Sequence, residues 1–361
     1  MIRILQCVND MHRAGLETML MNYYRHVDRT QIQFDFLTHR PNRSDYDDEI
    51  EALGGRVFYA PRLYPQNLPT YFTYMAEFYK EHQEYRIVHS HIDSMSYLPL
   101  LAAKRAGVPY RIAHSHNTSI DKDFKYILKQ YYRKRIKSVA NIYCACGQEA
   151  GRFLFGKNAN FSVFANAIQT DNFVYNEVTR NNKRKELDIE DKTVIGHVGR
   201  LSYQKNHKFL LEIFSQIIKD EKNAVLMLIG VGEKENEIRN RAKSLGLDDK
   251  VLFLGNRSDV NELYQAMDIF VMPSLFEGIP VVGVEAQFSG LPIVFSDKVP
   301  DEVAFTPLCT FIPLSSPADL WAKRILEIQK NEIDRSHAVI DNRYNIEFAY
   351  KKLENFYLQL K

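Results

Sequence analysis

The 361-residue sequence has few cysteines, no long apolar segment and almost no net charge. Two of its four cysteines, Cys144 and Cys146, are separated by one residue, which is not the spacing of a zinc-ligand pair, so four reduced thiols are expected. The 47 Lys and Arg residues against 45 Asp and Glu residues exclude a globally basic nucleic-acid-binding protein. No stretch approaches the roughly 20 apolar residues of a membrane-spanning helix, and the N-terminus lacks the features of a signal peptide. We therefore expect a soluble, cytoplasmic protein with no nucleic-acid partner.

The chain alternates short apolar runs with amphipathic segments, in two blocks of similar size. This pattern predicts an α/β protein with two Rossmann-like domains, each built on a doubly wound parallel sheet. The predicted domains are residues 1–165 and 186–345, and the polar, Asn-rich stretch 166–185 is the predicted linker. Because ligands of open parallel sheets bind beyond the carboxyl ends of the strands, the expected site is a cleft between the domains.

The segment PSLFEGIPVVGVEAQFSGLPIV carries the sharpest functional signal. It places Glu277 in a loop after an apolar strand, and Glu285 lies eight residues further on, inside the following helix. The N-terminus of that helix offers backbone N–H groups that favour an anion such as a diphosphate. Carboxylates accept hydrogen bonds from vicinal hydroxyls, so the two glutamates can hold sugar rings on either side of the phosphates. The predicted backbone positions of this donor site are Gly278, Ile279, Pro280 and Val281.

A second segment, GRLSYQKN, contains Arg200 and Lys205 directly after another predicted strand. Two cations at this position can neutralise the charge that grows on a leaving diphosphate. Together with Glu277 and Glu285, this segment resembles the phosphate-binding element and the E-x7-E signature of the retaining glycosyltransferases of family 4, which have the GT-B fold. The resemblance implies that the second domain binds a nucleotide-sugar donor, with a UDP-sugar expected. In these roles, Arg200 and Lys205 bind the phosphates, Glu277 orients the sugar and Glu285 holds the ribose.

Two more segments resemble elements of this family in the same order. VLFLGNRSDV resembles the strand and loop that hold the nucleobase, which makes Asn256 and Arg257 candidate positions. LIGVGEKE resembles the loop after the second strand of the nucleotide domain, with Gly230 as a donor-binding candidate. This loop also contains Gly232 but no third glycine, so the dinucleotide fingerprint is incomplete and an NAD enzyme is not indicated.

The first block carries weaker signals. After its first strand the sequence reads NDMHRAGLETML, in which Gly15 follows Ala14 instead of a second glycine; Gly15 can still let a ligand approach the backbone. Two HSH triplets end predicted strands, and the resemblance places a sugar-contacting histidine at the second, with His116 expected and His114 as the alternative. His-x-His is also a metal-ligand pattern, but no carboxylate or cysteine partner is evident and no Asp-x-Asp motif lies near the phosphate elements, so no metal is expected.

Residues 122–138, KDFKYILKQYYRKRIKS, form a basic segment within a predicted helix at 121–139. Its charges alternate with the apolar and aromatic side chains Tyr126, Ile127, Tyr131 and Ile136. A basic amphipathic helix can lie on an anionic membrane surface, where polyprenyl-phosphate-linked acceptors are found; an ordinary solvated helix face is the alternative.

The resemblance covers nearly the whole chain. It implies a retaining, metal-independent hexosyltransferase without a cofactor, and a C-terminal helix at 346–361 that packs back on the first domain. The stretches ETMLMNYYR, HSHNT and CGQEAGRFLFG are most similar to enzymes of bacterial capsular and exopolysaccharide assembly, so a glycan or lipid-linked acceptor is expected, at the inner face of the cell membrane. Two alternatives stay open: a GT-B enzyme of the UDP-GlcNAc 2-epimerase type, and a non-catalytic sugar-nucleotide-binding protein.

Overall fold

The structure is a computed structural model that describes residues 1–120, 125–331, 333–335, 339 and 341–360. The chain divides into two compact units. The first consists of Met1–Ile168 together with Asn342–Lys361, and the second consists of Gln169–Asp341. Each unit contains one parallel sheet with flanking helices, which confirms the predicted fold class.

The first unit is built on a seven-stranded sheet in which all paired strands run parallel. Its strands are β1 Ile2–Cys7, β2 Ile32–Thr38, β3 Val57–Tyr59, β4 Ile87–Ser90, β5 Tyr110–Ser115, β6 Ile142–Ala145 and β7 Ser162–Val163. They lie in the order β3-β2-β1-β4-β5-β6-β7. The strand order therefore reverses between β1 and β4, and this switch point is where sheets of this kind place ligands, beyond the carboxyl ends of the strands.

Both faces of this sheet are buried by helices. The helices are α1 Gly15–His26, α2 Asp47–Ala52, α3 Leu68–Glu81, α4 Tyr97–Arg105, α5 Tyr126–Arg135, α6 Gln148–Phe155 and, at the end of the chain, α13 Ile346–Leu358. Successive residues of a strand point to opposite faces, so Ile4 packs in the cluster with α1 and α13, whereas Leu5 packs with α3 and α4. Helix α13 contributes Leu353 and Tyr357 to the first of these clusters, and both side chains are buried.

The second unit is built on a six-stranded parallel sheet. Its strands are β8 Thr193–Val198, β9 Ala224–Ile229, β10 Val251–Gly255, β11 Ile269–Met272, β12 Ile293–Ser296 and β13 Cys309–Ile312, in the order β10-β9-β8-β11-β12-β13. Its helices are α7 Glu177–Glu186, α8 His207–Asp220, α9 Glu235–Ser244, α10 Val260–Ala266, α11 Val281–Phe288 and α12 Ala318–Gln329. Strands β9 and β11 are buried along their whole length, as expected for a sheet covered on both faces.

The prediction that residues 166–185 form an irregular linker was wrong for the second half of this stretch, because residues from 177 onward form helix α7. The segment has few apolar residues, but its charged side chains find partners within the second unit. Lys183 Nζ lies 2.8 Å from Asp259 Oδ2, and Arg184 Nη1 lies 3.2 Å from Asp268 Oδ2. Ion pairs therefore hold a polar helix against the fold where hydrophobic periodicity gave no signal.

The predicted long helix at 121–139 is shorter in the structure. Helix α5 covers Tyr126–Arg135 and is followed by a 3₁₀ turn at Ile136–Ser138, whereas residues 121–124, including Lys122 of the basic segment, lie outside the described residues. The four cysteines form no disulfide in the part of the chain that the structure describes. Among the same residues, no helix has the length and apolarity needed to cross a membrane.

Candidate functional site

The loop between β11 and α11 brings the predicted anion-binding positions together. Helix α11 begins at Val281, after Pro280 in an extended conformation with φ −70° and ψ 117°. The first N–H groups of a helix have no intrahelical partner and favour a negative charge. Gly278 and Ile279 precede this terminus, and all four residues are buried, as is Glu277. The loop is thus fixed by packing.

Glu277 forms a buried ion pair with Lys205. Lys205 Nζ lies 2.7 Å from Glu277 Oε1, and the two side chains are only 13% and 6% exposed. Gln204 Nε2 donates a hydrogen bond of 3.1 Å to the other carboxylate oxygen, Glu277 Oε2. The sequence predicted Lys205 and Glu277 as separate phosphate and sugar contacts, but the structure joins them in one charge-paired centre.

Backbone and amide contacts tie the loop after β8 to the loop after β11. Leu275 N donates to Gln204 O at 2.8 Å, and Gln204 Nε2 donates to Phe276 O at 2.9 Å. Asn206, which has φ +56°, donates from Nδ2 to Pro273 O at 3.1 Å. Because β8 and β11 are neighbours in the sheet, these contacts fix the position of the Lys205–Glu277 pair at its carboxyl edge.

Arg200 is placed differently from Lys205. Its side chain is 70% exposed, and its guanidinium lies 3.2 Å from the carboxylate of Glu233 in the loop before α9. The two predicted phosphate-binding cations therefore do not share one ion-pair partner. Lys205 is held in place, and Arg200 extends into solvent.

Gly230 has a structural reason for being glycine. Its φ is +131°, and a Cβ atom at this position would lie 2.2 Å from Gly199 O in the neighbouring loop. A side chain would therefore be strained and would also collide with backbone. The close approach of the loops after β8 and β9 accounts for Gly230 without a ligand.

The predicted nucleobase positions lie at the start of the segment between β10 and α10. Asn256 is exposed, and Arg257 is partly buried. The guanidinium of Arg257 donates to both carboxylate oxygens of Asp259, at 2.7 and 2.6 Å, and this pairing lowers the pKa of Asp259. Arg257 therefore has an intramolecular partner, whereas Asn256 is exposed.

Glu285 lies within α11, eight residues after Glu277, and is buried, with 9% exposure. Tyr264 of α10, a residue that sequence reasoning missed, donates a hydrogen bond of 2.9 Å to Glu285 Oε2. Burial raises the pKa of Glu285 to about 7, although the hydrogen bond from Tyr264 acts in the opposite direction. A buried carboxyl with one protein partner retains the capacity to accept further hydrogen bonds.

Gly15 begins α1 in the first unit. It is exposed and follows Ala14, which has φ −142° and provides no side-chain cap. Gly15 therefore lies at a helix N-terminus beyond the carboxyl end of β1, and its approach to a ligand stays a prediction.

Four histidines cluster at the carboxyl ends of β4 and β5. His89 Nδ1 lies 2.6 Å from the hydroxyl of Tyr357, and His89 Nε2 lies 3.1 Å from His114 Nδ1. His91 stacks on His89, with ring centroids 4.2 Å apart. His114 is buried with 2% exposure, so this alternative to His116 lies in the interior of the cluster.

The second pair of histidines includes the predicted sugar-contacting residue. His91 Nε2 lies 2.8 Å from Gln6 Oε1, and His91 Nδ1 lies 3.0 Å from His116 Nε2. Burial lowers the pKa of His116 to about 3 and the pKa values of the other three histidines well below 6.5. All four imidazoles are therefore neutral at physiological pH.

Asp93 fixes the backbone at His116. Its φ is +47°, and it accepts hydrogen bonds from His116 N at 2.7 Å and from Asn117 Nδ2 at 2.8 Å. Burial raises the pKa of Asp93 to about 6. A non-glycine residue in the left-handed region next to a candidate site is a feature that the sequence did not reveal.

The same cluster offers ligand atoms for a metal ion. Nitrogen atoms of His89, His91 and His114 all lie within 4.8 Å of one another. His89 and His91 already use both of their ring nitrogens in hydrogen bonds. Coordination would have to break those bonds, and a zinc site would need a fourth ligand.

Helix α5 exposes part of the predicted basic surface. Ile127 and Tyr131 are 83% and 47% exposed, and Lys134 and Arg135 are also exposed on this helix. Ile136, one of the four apolar side chains of the proposed membrane-binding segment, is instead fully buried in the core and does not belong to the exposed surface.

The two α/β units, each built on one parallel sheet, have the architecture of the GT-B fold that the sequence motifs implied. Residues 179–345 match the family model described as "Glycosyl transferases group 1", and residues 13–172 match the model described as "Glycosyltransferase Family 4". The chain belongs to this glycosyltransferase family, which confirms the resemblance stated from its sequence motifs.

Individual relatives agree with this membership. The provisionally named glycosyltransferase EpsF of Bacillus subtilis is 40% identical over 332 residues, which cover 90% of this chain and 86% of EpsF. The capsular polysaccharide biosynthesis glycosyltransferase CapH of Staphylococcus aureus is 24% identical over 99% of both chains. An N,N'-diacetylbacillosaminyl-diphospho-undecaprenol α-1,3-N-acetylgalactosaminyltransferase of Campylobacter jejuni is 29% identical over 71% of both chains.

The crystal structure of Anabaena Alr3699/HepE in complex with UDP-glucose has a similar fold. It superposes with a TM-score of 0.82 at 18% identity and covers 99% of this chain and 100% of that one. At this level of identity the similarity establishes the fold alone.

Proposed function

We propose that this glycosyltransferase is a retaining, metal-independent enzyme that transfers a sugar from a UDP-sugar to a glycan or polyprenyl-diphosphate-linked acceptor in the assembly of a surface polysaccharide. The observation that carries the proposal is the buried Lys205–Glu277 pair beside the N-terminus of α11. It places a fixed cation next to a helix end that favours the donor diphosphate.

The second unit binds the donor in this proposal. Lys205 and the N-terminus of α11 bind the diphosphate, and the exposed side chain of Arg200 also contacts it from the solvent side. Glu277 accepts hydrogen bonds from the donor sugar while remaining paired with Lys205, and Glu285 accepts from the ribose hydroxyls. The UDP preference is supported by the UDP-glucose complex of HepE, which shares the fold.

The proposed reaction keeps the configuration at the anomeric carbon. The bond between that carbon and the β-phosphate oxygen breaks through an oxocarbenium-like transition state, while the acceptor oxygen attacks the same face. The acceptor proton passes to the departing phosphate, so UDP is the leaving group. Lys205 stabilises the growing negative charge on UDP, and His116, at the carboxyl end of β5, contacts a substrate sugar.

The acceptor class rests on the relatives. The Campylobacter relative is named for a diphospho-undecaprenol-linked acceptor, and the Staphylococcus relative for capsular polysaccharide biosynthesis. A lipid-linked acceptor requires the enzyme to work at a membrane surface, which fits the exposed apolar and basic side chains of α5.

Ligand binding and product analysis test this function together. A thermal-shift panel of UDP, GDP, ADP, CDP and NAD should show stabilisation by UDP, and a ligand at a hundredfold excess over its Kd adds about 2.7 kcal/mol of stability. Incubation with α-linked UDP-sugars and a synthetic polyprenyl-diphosphate-linked sugar should then give an α-linked product. A β-linked product would exclude retention, and stabilisation by NAD alone would exclude the donor site.

The controls separate the alternative functions. Conversion of UDP-GlcNAc to a 2-epimer without acceptor would indicate an epimerase, and UDP binding without turnover would indicate a binding protein. The transfer rate should persist in excess EDTA because Lys205 and the helix terminus supply the charge stabilisation. Loss of transfer with EDTA and recovery with a divalent cation would contradict metal independence.

We expect α5 to attach the protein to anionic membranes. Neutralising Lys134, Arg135 and Lys137 to Gln should weaken partition to phosphatidylglycerol vesicles roughly a hundredfold, since each basic residue near such a surface contributes about 1 kcal/mol. Co-sedimentation with vesicles measures this change.

A charge-matched variant controls for net charge in the vesicle experiment. Lys185, Lys222 and Lys243 are exposed residues of the second unit, and their replacement by Gln removes the same three charges. This control should sediment like the wild-type protein. Equal loss in both variants would mean that only overall charge matters, and α5 would not be the membrane contact.

A further inference from the structure

The four-histidine cluster is organised around one buried side chain, Gln6, near the end of β1. Gln6 has 0% exposure, and its two amide atoms serve two different partners. Gln6 Nε2 donates to the hydroxyl of Tyr357 at 3.2 Å, and Gln6 Oε1 lies 2.8 Å from His91 Nε2. Two chains of hydrogen bonds, called branches below, therefore start at this amide. Because the amide nitrogen can only donate and the amide oxygen can only accept, it decides which atom is the donor in the first bond of each branch.

The branch through His91 reaches His116. The carbonyl oxygen of Gln6 can only accept, so His91 Nε2 must carry the proton. In a neutral imidazole the other nitrogen is then an acceptor, so His91 Nδ1 accepts across the 3.0 Å contact from His116 Nε2. His116 is thereby an Nε2–H tautomer, and its Nδ1 carries a lone pair.

The branch through Tyr357 is satisfied with the same orientation of the amide. Tyr357 accepts from Gln6 and donates its hydroxyl proton across the 2.6 Å contact to His89 Nδ1. His89 Nε2 then donates to His114 Nδ1 at 3.1 Å. The branch ends at His114 Nε2, which is buried and has no hydrogen-bond partner among the described residues.

We propose that Gln6, acting through His91, fixes the tautomer of His116 so that Nδ1 is free to accept a hydrogen bond from a hydroxyl of a substrate sugar. Gln6 and His91 are positioning residues, and His116 is the group that touches the substrate; the sugar contact rests on the proposed function, whereas the tautomer does not. Among the described residues, no group is hydrogen-bonded to His116 Nδ1. Asp93 holds the backbone N–H of His116 at 2.7 Å, so the ring and its main chain are both fixed.

Direct observation of the tautomer tests the first part without any turnover. In protein labelled with ¹⁵N-histidine, two-bond ¹H–¹⁵N correlation spectra distinguish protonated from unprotonated ring nitrogens, and His116→Gln assigns the His116 signals. We expect an unprotonated Nδ1 and a protonated Nε2 at His116, together with a slowly exchanging Nε2–H at His91. A protonated Nδ1 at His116 would overturn the proposal whether or not the enzyme transfers a sugar.

Two variants separate the branches. Gln6→Met removes the acceptor for His91, and it should abolish the slow exchange of the His91 Nε2–H. Tyr357→Phe cuts only the branch to His89 and should leave His91 and His116 as in wild type. Gln6→Glu provides a carboxyl oxygen at the same place and should restore the slow exchange, which also guards against a folding defect in Gln6→Met. Failure of the Gln6→Glu rescue would contradict an acceptor role for Gln6.

Kinetics test the second part. Loss of one hydrogen bond to a substrate sugar should lower kcat/KM for the substrate that carries it about three- to tenfold in Gln6→Met, with Tyr357→Phe within about twofold of wild type. Equal losses in both variants would show a merely structural role and overturn the positioning of His116 by Gln6. A stoichiometric metal in the purified protein, together with the absence of the Nε2–H of His91, would overturn the proposal. It would show that His89, His91 and His114 coordinate the metal and are not joined by hydrogen bonds.

Discussion

The variant Lys205→Met is expected to lose transfer activity by a factor of about 100 to 1,000 in kcat, which is the usual effect of removing one group that stabilises transition-state charge. It should also be unstable, because Glu277 would be left buried without its cation at 2.7 Å. Breaking a buried ion pair from one side costs about 3–5 kcal/mol. Activity measured at saturating donor and unfolding measured by denaturant give the two numbers separately.

The double variant Lys205→Met/Glu277→Gln separates catalysis from stability. It has no uncompensated buried charge, so most of the lost stability should return, whereas kcat should stay low because neither the cation nor the carboxylate is present. Recovery of kcat along with stability would show that the pair is structural only, and the proposed donor site would lose its main support.

A second buried lysine provides the matched control. The side chain of Lys183 is 8% exposed and is paired with Asp259 at 2.8 Å, also within the second unit. Lys183→Met should therefore also be destabilised, but by less than Lys205→Met, because Asp259 keeps its two hydrogen bonds from Arg257 and is not left without a cation; kcat of the folded fraction should be unchanged. A comparable fall in kcat in this control would mean that loss of stability alone explains the effect in Lys205→Met.

The sequence predicted the parts of the fold that follow from hydrophobic pattern. The apolar runs predict strands at 193–198, 224–229 and 269–272 and a helix at 260–266. Strands β8, β9 and β11 and helix α10 have these bounds, because polar turns delimit each run. Helix α7 was missed because its packing depends on ion pairs of Lys183 and Arg184, and such pairs have no periodic signature. Helix α7 is held in place by ion pairs with residues distant in sequence, whereas the prediction of a helix required a hydrophobic face.

The sequence motifs predicted several residues of the candidate site, but not which of these residues contact one another. Glu277 and Lys205 were identified from spacing, yet their contact spans 72 positions in sequence and depends on β8 and β11 being neighbours. Gln6 gave a local signal that could have been read, since it is a polar residue within the apolar strand RILQC. Its partner Tyr357 is 351 positions away, and no local pattern could have joined the two.

Glu285 is expected to make both stability and nucleotide affinity depend on pH. Its pKa is raised from 4.5 to about 7 in the folded protein by burial. Between these values the folded state holds a proton that the unfolded state releases, so stability falls as pH rises through this window. The ionisation of the buried Glu285 lowers the free energy of unfolding by about 3 kcal/mol well above pH 7, and by less than about 1 kcal/mol near pH 5.

The variant Glu285→Gln should therefore be more stable than wild type at about pH 8, and the difference should nearly vanish at about pH 5. Denaturant unfolding at the two pH values measures this. Tyr264→Phe is the matched control: it removes the hydrogen bond that lowers the pKa of Glu285, so the pH range over which stability falls should extend further upward. A stability difference that does not change with pH would contradict the titration of Glu285.

The same substitution tests the ribose contact. Loss of a hydrogen bond to a charged group costs about 1.5–3 kcal/mol, so the Kd for UDP should rise about 10- to 100-fold in Glu285→Gln. In wild type the ionised carboxylate is the form that accepts two hydroxyl hydrogen bonds, so affinity should weaken as pH falls below about 7. In the variant the dependence on pH should be smaller, because only the second ionisation of the terminal phosphate of UDP, with a pKa of about 6, remains. Calorimetric titration with UDP in buffers of different ionisation enthalpy would also detect the proton released on binding. If the Glu285→Gln protein is stabilised but its Kd for UDP is unchanged, Glu285 affects only the stability of the fold, and another residue must contact the ribose.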